Sequence, residues 1–457
     1  MTLIKSISGI RGTIGGDIGN SLTPNDVVSF AAAYAVWIKS KNLNNTVIIG
    51  RDARVSGEMI SNLVCSTLQL SGIDVIDIGL STTPTVEISV LENNYSGGII
   101  ITASHNPGNW NALKLLNSSG EFISASDGHE ILKIASNKTF DYVDVSLLGK
   151  YKLDENFNDF HIDKILDLDL VNKEAIKKAK LNVVIDAVNS TGGFMIPKLL
   201  EKLGVSYHKL YCEPNGIFPH NPEPLAENLS EISTQVISNG SHLGLVVDPD
   251  VDRLAIVCED GSMFGEEYTL VSVADYILSK KRGSTVSNLS STRALKDITE
   301  KYGCNYFPSA VGEVNVVECM KINNAVIGGE GNGGVILPDL HYGRDALVGI
   351  ALFLSLYAEK GLKASVLRDS YPKYYMKKNK VELDDENKIQ NVFDYLLSEY
   401  DYAHINKIDG VKFDFETGWV HVRRSNTEPI IRIYSEFNSK ADLEKFSKEF
   451  FTKINTF

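Results

Sequence analysis

The sequence predicts an α/β protein: three similar α/β domains, each a mixed sheet with flanking helices, followed by a smaller C-terminal α+β domain. Three observations carry this expectation. The chain has 457 residues, more than a single hydrophobic core serves. One unit (a short β-branched strand, a polar or Gly-rich turn, a helical stretch, a glycine and a second strand) recurs along it. Beyond about Ser370 the text changes to Lys/Asp/Asn-rich segments and short strands.

The first copy of the unit is the strand Thr46–Gly50, the turn Arg51–Gly57, a helix to about Leu70, Gly72, and a strand Asp74–Ile78. The second is Asn182–Asp186, the turn Ala187–Gly193, a helix to about Leu203, Gly204, and Val205–Leu210. A fainter third is Thr285–Leu289, Ser290–Arg293, a helix to about Tyr302, Gly303, and Asn305–Phe307. Each reads as a βαβ unit, which needs parallel neighbours and a crossover helix. The final part opens behind a linker near Tyr371–Lys373, continues with short strands and turns over Gly410–Glu436, and ends in a helix from about Lys440. The expected boundaries are 1–148, 149–257, 258–368 and 369–457.

Composition excludes several classes. Lys and Arg number 45 against 58 Asp and Glu, a net charge of -13, so no global basic footprint for nucleic acid exists. Met1–Gly12 lacks the apolar run and small-residue cleavage site of a secretory signal. The longest helix-like apolar stretch, Val27–Ile38, is broken by Ser29 and falls short of the ~18 to 20 residues of a membrane span. The five cysteines are scattered and contain no CxxC pair, which argues against a disulfide framework or a zinc site and fits a reducing cytoplasm. A cytoplasmic monomer or homodimer is expected, with no nucleic-acid or membrane partner.

Four motifs carry chemistry. Thr102-Ala103-Ser104-His105-Asn106-Pro107 follows the apolar run Gly97–Ile101, placing Ser104 on a loop at a strand end, where α/β sheets bind ligands. Ser104 is a candidate nucleophile; an Asx/Ser turn punctuated by Asn106-Pro107 is the competing reading. Lys114 and Asn111 follow closely, and an extended backbone points His105 away from Ser104. Asp248-Pro249-Asp250-Val251-Asp252-Arg253 follows the apolar run Leu243–Val247. Carboxylates ~4 Å apart repel by about 4 kcal/mol at an effective dielectric of 20, so three at alternating positions imply a divalent cation. An EF-hand loop is excluded because its sixth position is Arg253 rather than Gly, and oxygen-only ligands on a short loop favour Mg²⁺. Gly328-Gly329-Glu330-Gly331-Asn332-Gly333-Gly334 allows close backbone approach, with Glu330 and Asn332 suited to sugar hydroxyls, although Gly-rich runs are most often plain turns. Arg423-Arg424-Ser425-Asn426-Thr427-Glu428-Pro429, with Arg432 close behind, is a plausible phosphate cradle or else a solvated basic turn. Arg11 and the turn Arg51-Asp52-Ala53-Arg54 sit beside glycines and read individually as surface turns.

In this order the motifs resemble the α-D-phosphohexomutase superfamily, and the resemblance spans essentially the whole chain. It implies four domains around a central cleft, each contributing one loop: phosphoserine, metal, sugar and phosphate. Ser104 would carry a phosphoryl group. Asp248, Asp250 and Asp252 would bind Mg²⁺ with an oxygen of that phosphoserine, and Arg253 would lie beside it. Glu330 and Asn332 would grip the sugar, Arg423, Ser425, Asn426, Thr427 and Arg432 would hold the non-reacting phosphate, and Arg11 and Lys114 would assist proton transfer or charge stabilisation. The implied reaction interconverts hexose 6-phosphate and 1-phosphate through a bound hexose 1,6-bisphosphate, which turns around while the fourth domain closes over it. Many relatives have Ser and His where this chain has Asn332 and Gly334, which leaves the proton-transfer group open and makes His341 a speculative substitute. Ala112 and Asn426 also depart from common glycines. The form GGEGNGG with SNTEP resembles an archaeal-type phosphoglucosamine mutase branch, so glucosamine phosphate is the expected sugar, with phosphomannomutase/phosphoglucomutase as alternative. A metal-dependent phosphatase and a non-catalytic sugar-phosphate binding protein are the rivals from other classes.

Overall fold

A computed structural model describes residues 2–6, 9–41, 43–382, 386–424 and 430–456. The first sheet has seven strands in the order Ile4–Ser6, Gly9–Thr13, Trp110–Leu116, Gly97–Ile101, Thr46–Arg51, Asp74–Leu80 and Tyr151–Leu153. The second orders Leu254–Cys258, Leu243–Val247, Asn182–Asp186 and Ser206–Leu210; the third orders Tyr306–Ser309, Thr285–Asn288, Ile327–Glu330 and Gly334–Ile336. All three are mixed. The fourth sheet is antiparallel, ordered Tyr375–Glu382, Ile430–Phe437, Gly418–Arg424, Val411–Asp414 and His404–Asn406, with helices Glu386–Glu399 and Lys440–Ile454. No helix among the described residues is long and apolar enough to cross a membrane.

The repeated unit has the same geometry each time. Its two strands pair in parallel: Thr46–Arg51 with Asp74–Leu80, Asn182–Asp186 with Ser206–Leu210, and Thr285–Asn288 with Tyr306–Ser309. The crossovers are the helices Gly57–Leu70, Gly192–Leu203 and Ala294–Lys301. A third strand (Gly97–Ile101, Leu243–Val247 or Ile327–Glu330) adds in parallel on the other side of the first. An antiparallel strand then returns beside it. The strand order therefore reverses beside the first strand, and the loop leaving the third strand sits at the carboxyl end of that switch, the usual ligand site of an open α/β sheet. The serine, aspartate and glycine-rich motifs occupy these three equivalent loops.

One detail moves relative to the expected boundaries. Tyr151–Leu153 pairs in parallel with Asp74–Leu80, so the first sheet extends past position 148 and covers what would be a bare strand edge.

The second and third domains share one continuous apolar core, while the first and fourth domains have cores of their own. The shared core centres on the helix Ala346–Lys360, whose residues from Ala346 to Tyr357 are all buried. A helix apolar on every face belongs inside a core. Asp345 caps its start by accepting from the Leu347 and Val348 amides at 2.8 and 3.2 Å. The fourth domain docks on the third by polar contacts. Arg293 Nη2 donates to Asp414 Oδ1 at 3.1 Å, Phe415 O at 3.0 Å and Gly418 O at 2.8 Å, and Lys412 Nζ donates to Leu289 O at 2.9 Å.

This division predicts that Leu352→Ala, a fully buried truncation, lowers stability by about 2 to 5 kcal/mol. Denaturant unfolding should show the loss, while native-state amide exchange in the strand Ile430–Phe437 stays at the parental level; parallel loss of protection there would mean that the cores unfold as one.

Candidate active site

The serine loop leaves a fully buried strand, and Ser104 itself is buried with a left-handed φ of +48°. Its conformation is held from inside. The Ser104 amide donates to Thr102 Oγ1 at 2.9 Å, and that hydroxyl donates to Asp52 Oδ2 at 2.6 Å. Arg54 Nε pairs with the same Asp52 oxygen at 3.0 Å. Its guanidinium also donates to four carbonyls of the loop and its exit: Ser104 O, Asn106 O, Pro107 O and Trp110 O, at 2.5, 2.6, 2.6 and 2.9 Å. The turn that reads as a surface feature is thus a buried ion pair, with Asp52 0% and Arg54 1% exposed, because the serine loop lies over it and its carbonyls need donors. His105 comes nearer than the sequence suggests, with Nδ1 3.4 Å from Ser104 Oγ. Burial and the guanidinium groups of Arg253 and Arg344 hold its imidazole well below its usual value, and therefore neutral.

The aspartate loop faces this serine. Ser104 Oγ donates to Asp248 Oδ2 at 2.8 Å, although the two residues lie in different domains. Asp248, Asp250 and Asp252 are fully buried, and one oxygen of each lies within 4.8 Å of the others. Asp248 Oδ1 accepts from the Asp252 and Arg253 amides, both at 3.1 Å. Asp250 Oδ2 accepts from Thr83 Oγ1 at 2.6 Å and Lys114 Nζ at 2.8 Å, and Asp252 Oδ2 accepts from Arg344 Nη2 at 2.6 Å. Asp250 Oδ1 and Asp252 Oδ1 are buried without a hydrogen-bond partner, Asp252 Oδ1 lying 3.8 Å from Arg253 Nε. Each of these two aspartates is therefore anchored by one oxygen and presents the other. Burial, then Asp252 and Asp250, push the Asp248 carboxyl well up; against its own burial, Lys114 and Thr83 hold Asp250 below the usual carboxylate range. Anchored, unpartnered hard oxygens of this kind fit a small divalent cation, which would relieve the repulsion. Val251, at the loop's tip, adopts a φ of +60°, unusual for a β-branched residue.

In the glycine-rich loop, Glu330 is buried and both its oxygens accept hydrogen bonds: Oε1 from Asn288 Nδ2 at 2.7 Å and the Gly312 amide at 3.1 Å, and Oε2 from Arg344 Nη1 at 2.6 Å. Against its burial, Arg344 and Asn288 keep it below its usual value, hence ionised. Asn332 Oδ1 accepts from the Gly334 amide at 3.2 Å.

A cleft of about 490 Å³ gathers residues from all four domains, among them Arg11, His105, Arg253, Glu330, Asn332, Arg423 and Arg432. Arg423 and Arg432 are directly paired across adjacent strands. Two guanidinium groups on one wall of the cleft offer forked donors that suit the oxygens of a phosphate. Ser425, Asn426 and Thr427 lie outside the described residues. Lys114 reaches Asp250 from beneath the loop rather than lining the cleft. Arg253 Nη1 lies 3.4 Å from Glu223 Oε1, also on the cleft wall.

Two residues noted in the sequence lie elsewhere. His341 is buried at a junction, with Nδ1 3.4 Å from Glu87 Oε2 and Nε2 3.5 Å from Asp345 Oδ2, and does not line the cleft. Asn111 is a buried prop whose Nδ2 donates to Ser56 Oγ at 2.9 Å. Sequence reasoning missed Thr83, Glu223, Lys378 and Arg344. Arg344 left one trace: a charged Arg-Asp pair immediately before a wholly apolar stretch.

With this geometry in place, four consecutive matches to known domain families acquire meaning. Residues 3–142, 159–261 and 265–375 match phosphoglucomutase/phosphomannomutase alpha/beta/alpha domains I, II and III, and residues 376–453 match the C-terminal domain of the same family. The chain is 34% identical over 440 residues, covering 95% of it and 96% of the relative, to a phosphoglucomutase/phosphomannomutase of Thermococcus kodakarensis. It is 34% identical over 465 residues, 99% of this chain and 100% of the relative, to a probable phosphoglucosamine mutase of Methanosphaera stadtmanae. In fold it is similar to the crystal structure of a phosphoglucomutase/phosphomannomutase family protein of Burkholderia thailandensis, with a TM-score of 0.85, 24% identity, and coverage of 98% and 96% of the two chains. The chain belongs to the phosphoglucomutase/phosphomannomutase family, and so to the α-D-phosphohexomutase superfamily.

Two outcomes are expected of the site. Asp248→Asn removes one of three mutually repelling carboxylates, so the metal-free protein should melt higher than the parent and gain nothing from Mg²⁺. The parent should gain about 2.7 kcal/mol at a metal concentration a hundredfold above Kd; a variant that kept this gain in thermal melts would exclude Asp248 as a ligand. Asp52→Asn leaves the Arg54 guanidinium buried without its counter-charge and should cost about 3 to 5 kcal/mol in denaturant unfolding.

Proposed function

We propose that the chain is a phosphoglucosamine mutase, interconverting glucosamine 6-phosphate and glucosamine 1-phosphate through phosphorylated Ser104 and a bound 1,6-bisphosphate, with Mg²⁺ as its metal. The observation that carries this is the 2.8 Å contact of Ser104 Oγ with Asp248 Oδ2, beside the acidic triad; His105 and Arg253, which adjoin Ser104 and Asp252 in the chain, line the cleft that also holds the Arg423–Arg432 pair. A nucleophile at one end and a dianion site at the other suit a substrate phosphorylated at either end. The name of the Methanosphaera relative supports glucosamine; that of the Thermococcus relative supports glucose or mannose phosphate as the alternative. We place the enzyme in the cytoplasm, as a monomer or homodimer without nucleic-acid or membrane partners.

Phosphoryl transfer is mainly a matter of in-line positioning and charge neutralisation. A divalent cation on Asp248, Asp250 and Asp252 would draw negative charge off the transferring group. The rest falls to side chains. Arg423 and Arg432 hold the phosphate that does not react, and Glu330 and Asn332 hold the ring. In the first transfer the bond from phosphorus to Ser104 Oγ breaks and a bond to the free sugar hydroxyl forms; the proton that hydroxyl gives up is matched by the one Ser104 Oγ gains. The bisphosphate then turns around, and the reverse transfer restores phosphoserine and releases the isomer. Arg11 and Arg253, on the cleft wall, offset the charge of the two phosphates, and Lys114 offsets that of the aspartate loop through Asp250. The separate core of the fourth domain suits it to close over the intermediate and exclude water.

The test is a comparison of kcat/KM on glucosamine, glucose and mannose phosphates, with intact-mass detection of phosphate on Ser104. Ser104→Ala should be folded, unphosphorylated and inactive. Arg423→Ala should weaken substrate binding by about 1.5 to 3 kcal/mol. Substantial mutase turnover by Ser104→Ala would overturn the phosphoserine route, release of inorganic phosphate as main product would favour a phosphatase, and binding without turnover would leave only a sugar-phosphate binding protein.

A further inference from the structure

Gly334 has an unusual neighbour. A Cβ built there would lie 2.3 Å from Arg344 Cδ and 3.0 Å from Arg344 Cγ, so the stem of Arg344 fills the space that a side chain at position 334 would need. The guanidinium beyond that stem joins two loops. Nη2 is 2.6 Å from Asp252 Oδ2 in the metal loop, and Nη1 is 2.6 Å from Glu330 Oε2 in the sugar loop. Nε lies 3.0 Å from Glu313 Oε2, and the Arg344 amide donates to Glu313 Oε1 at 3.1 Å. The residue is 8% exposed and directly precedes Asp345, the cap of the helix Ala346–Lys360, so its backbone is anchored in the shared core.

We propose that Arg344 is a positioning residue that ties the metal loop to the sugar loop, and that position 334 is glycine in order to admit it. The proposal rests on the reading of Asp252 as a metal ligand and Glu330 as a sugar contact. Pinning Asp252 Oδ2 fixes the rotation of that carboxylate and leaves Oδ1 without a hydrogen bond, available to a cation held by the triad. Fixing the outer oxygen of a ligand is a recognised means of raising metal affinity. The same fork pins Glu330 from behind, so any shift of one loop is felt at the other. The planar guanidinium can serve both carboxylates at once, which a single ammonium point charge cannot do with the same geometry. Arg344 also supplies the positive charge among Asp252, Glu313 and Glu330, which would otherwise face one another buried.

The experiment uses the full-length enzyme and measures Mg²⁺ affinity by calorimetry without sugar, kcat and KM with sugar phosphate, and thermal stability. Arg344→Met should weaken Mg²⁺ binding ten- to a hundredfold and lower kcat more than it raises KM. Arg344→Lys should recover only part of both. Gly334→Ala keeps every charge but displaces the Arg344 stem, so it should shift Mg²⁺ affinity the same way, and it carries the test if Arg344→Met fails to fold. The double variant should bind Mg²⁺ no more weakly than Arg344→Met alone. Mg²⁺ affinities within twofold of the parent in Gly334→Ala and Arg344→Lys, or losses that multiply in the double variant, would overturn the proposal. A parent that binds no Mg²⁺ would instead overturn the metal reading on which it stands.

Discussion

Three aspartates within five residues, all shut away from water, set the terms for the rest of this molecule. Carboxylates so close cannot all stay ionised in a low-dielectric site unless cations surround them. The protein supplies a fixed cation on one oxygen of each of two aspartates, Lys114 on Asp250 Oδ2 and Arg344 on Asp252 Oδ2, and leaves the other oxygen of each without a hydrogen bond. The anchors come from the first and third domains, while the aspartates belong to the second. The aspartate loop therefore draws its anchors from the other two domains assembled around it. Backbone bonds reinforce this, with Thr83 N donating to Asp250 O at 2.9 Å and Ala346 N donating to Val251 O at 3.1 Å.

The repeated topology explains how three loops meet. In each α/β domain the functional loop leaves the third parallel strand, beside the point where strand order reverses. Two of these loops carry non-glycine residues in the left-handed region, Ser104 at +48° and Val251 at +60°. Such conformations cost about 1 to 3 kcal/mol each and persist only where surroundings enforce them. Here the enforcement is visible in Arg54, which binds the carbonyls of Ser104, Asn106 and Pro107 along the serine turn and its exit. Because the second and third domains share a core, their two loops hold a fixed relation, whereas the fourth domain keeps a core of its own and docks through polar contacts.

Much of this was legible in the sequence because its causes are local. The strands Thr46–Arg51, Asn182–Asp186 and Thr285–Asn288 announce themselves by β-branched runs before a turn and a helix, and the aspartate motif by charges at alternating positions after an apolar strand. What was not legible depends on partners far away in sequence. Thr83 is 167 residues from Asp250, and Arg344 is 92 from Asp252. No window or period joins such positions. Asp52 and Arg54 show a different limit: a short charged turn reads the same whether water or a set of carbonyls satisfies it, and only the overlying serine loop decides. The strand Tyr151–Leu153 was missed because three exposed residues on a sheet edge carry almost no pattern.

The net charge of -13 takes on a different meaning once position is known. Among the described residues that line the cleft, Arg11, Arg253, Lys378, Arg423 and Arg432 are cationic, and the acidic Glu223, Glu267 and Glu330 each face one of the protein's own cations. The cleft is thus positive inside a negative surface. Low-dielectric walls focus that field, so a dianionic phosphate is drawn towards the cleft. The acidity of the whole chain and the anion preference of its site are therefore compatible because screening confines each to its own range, roughly 8 Å at physiological ionic strength.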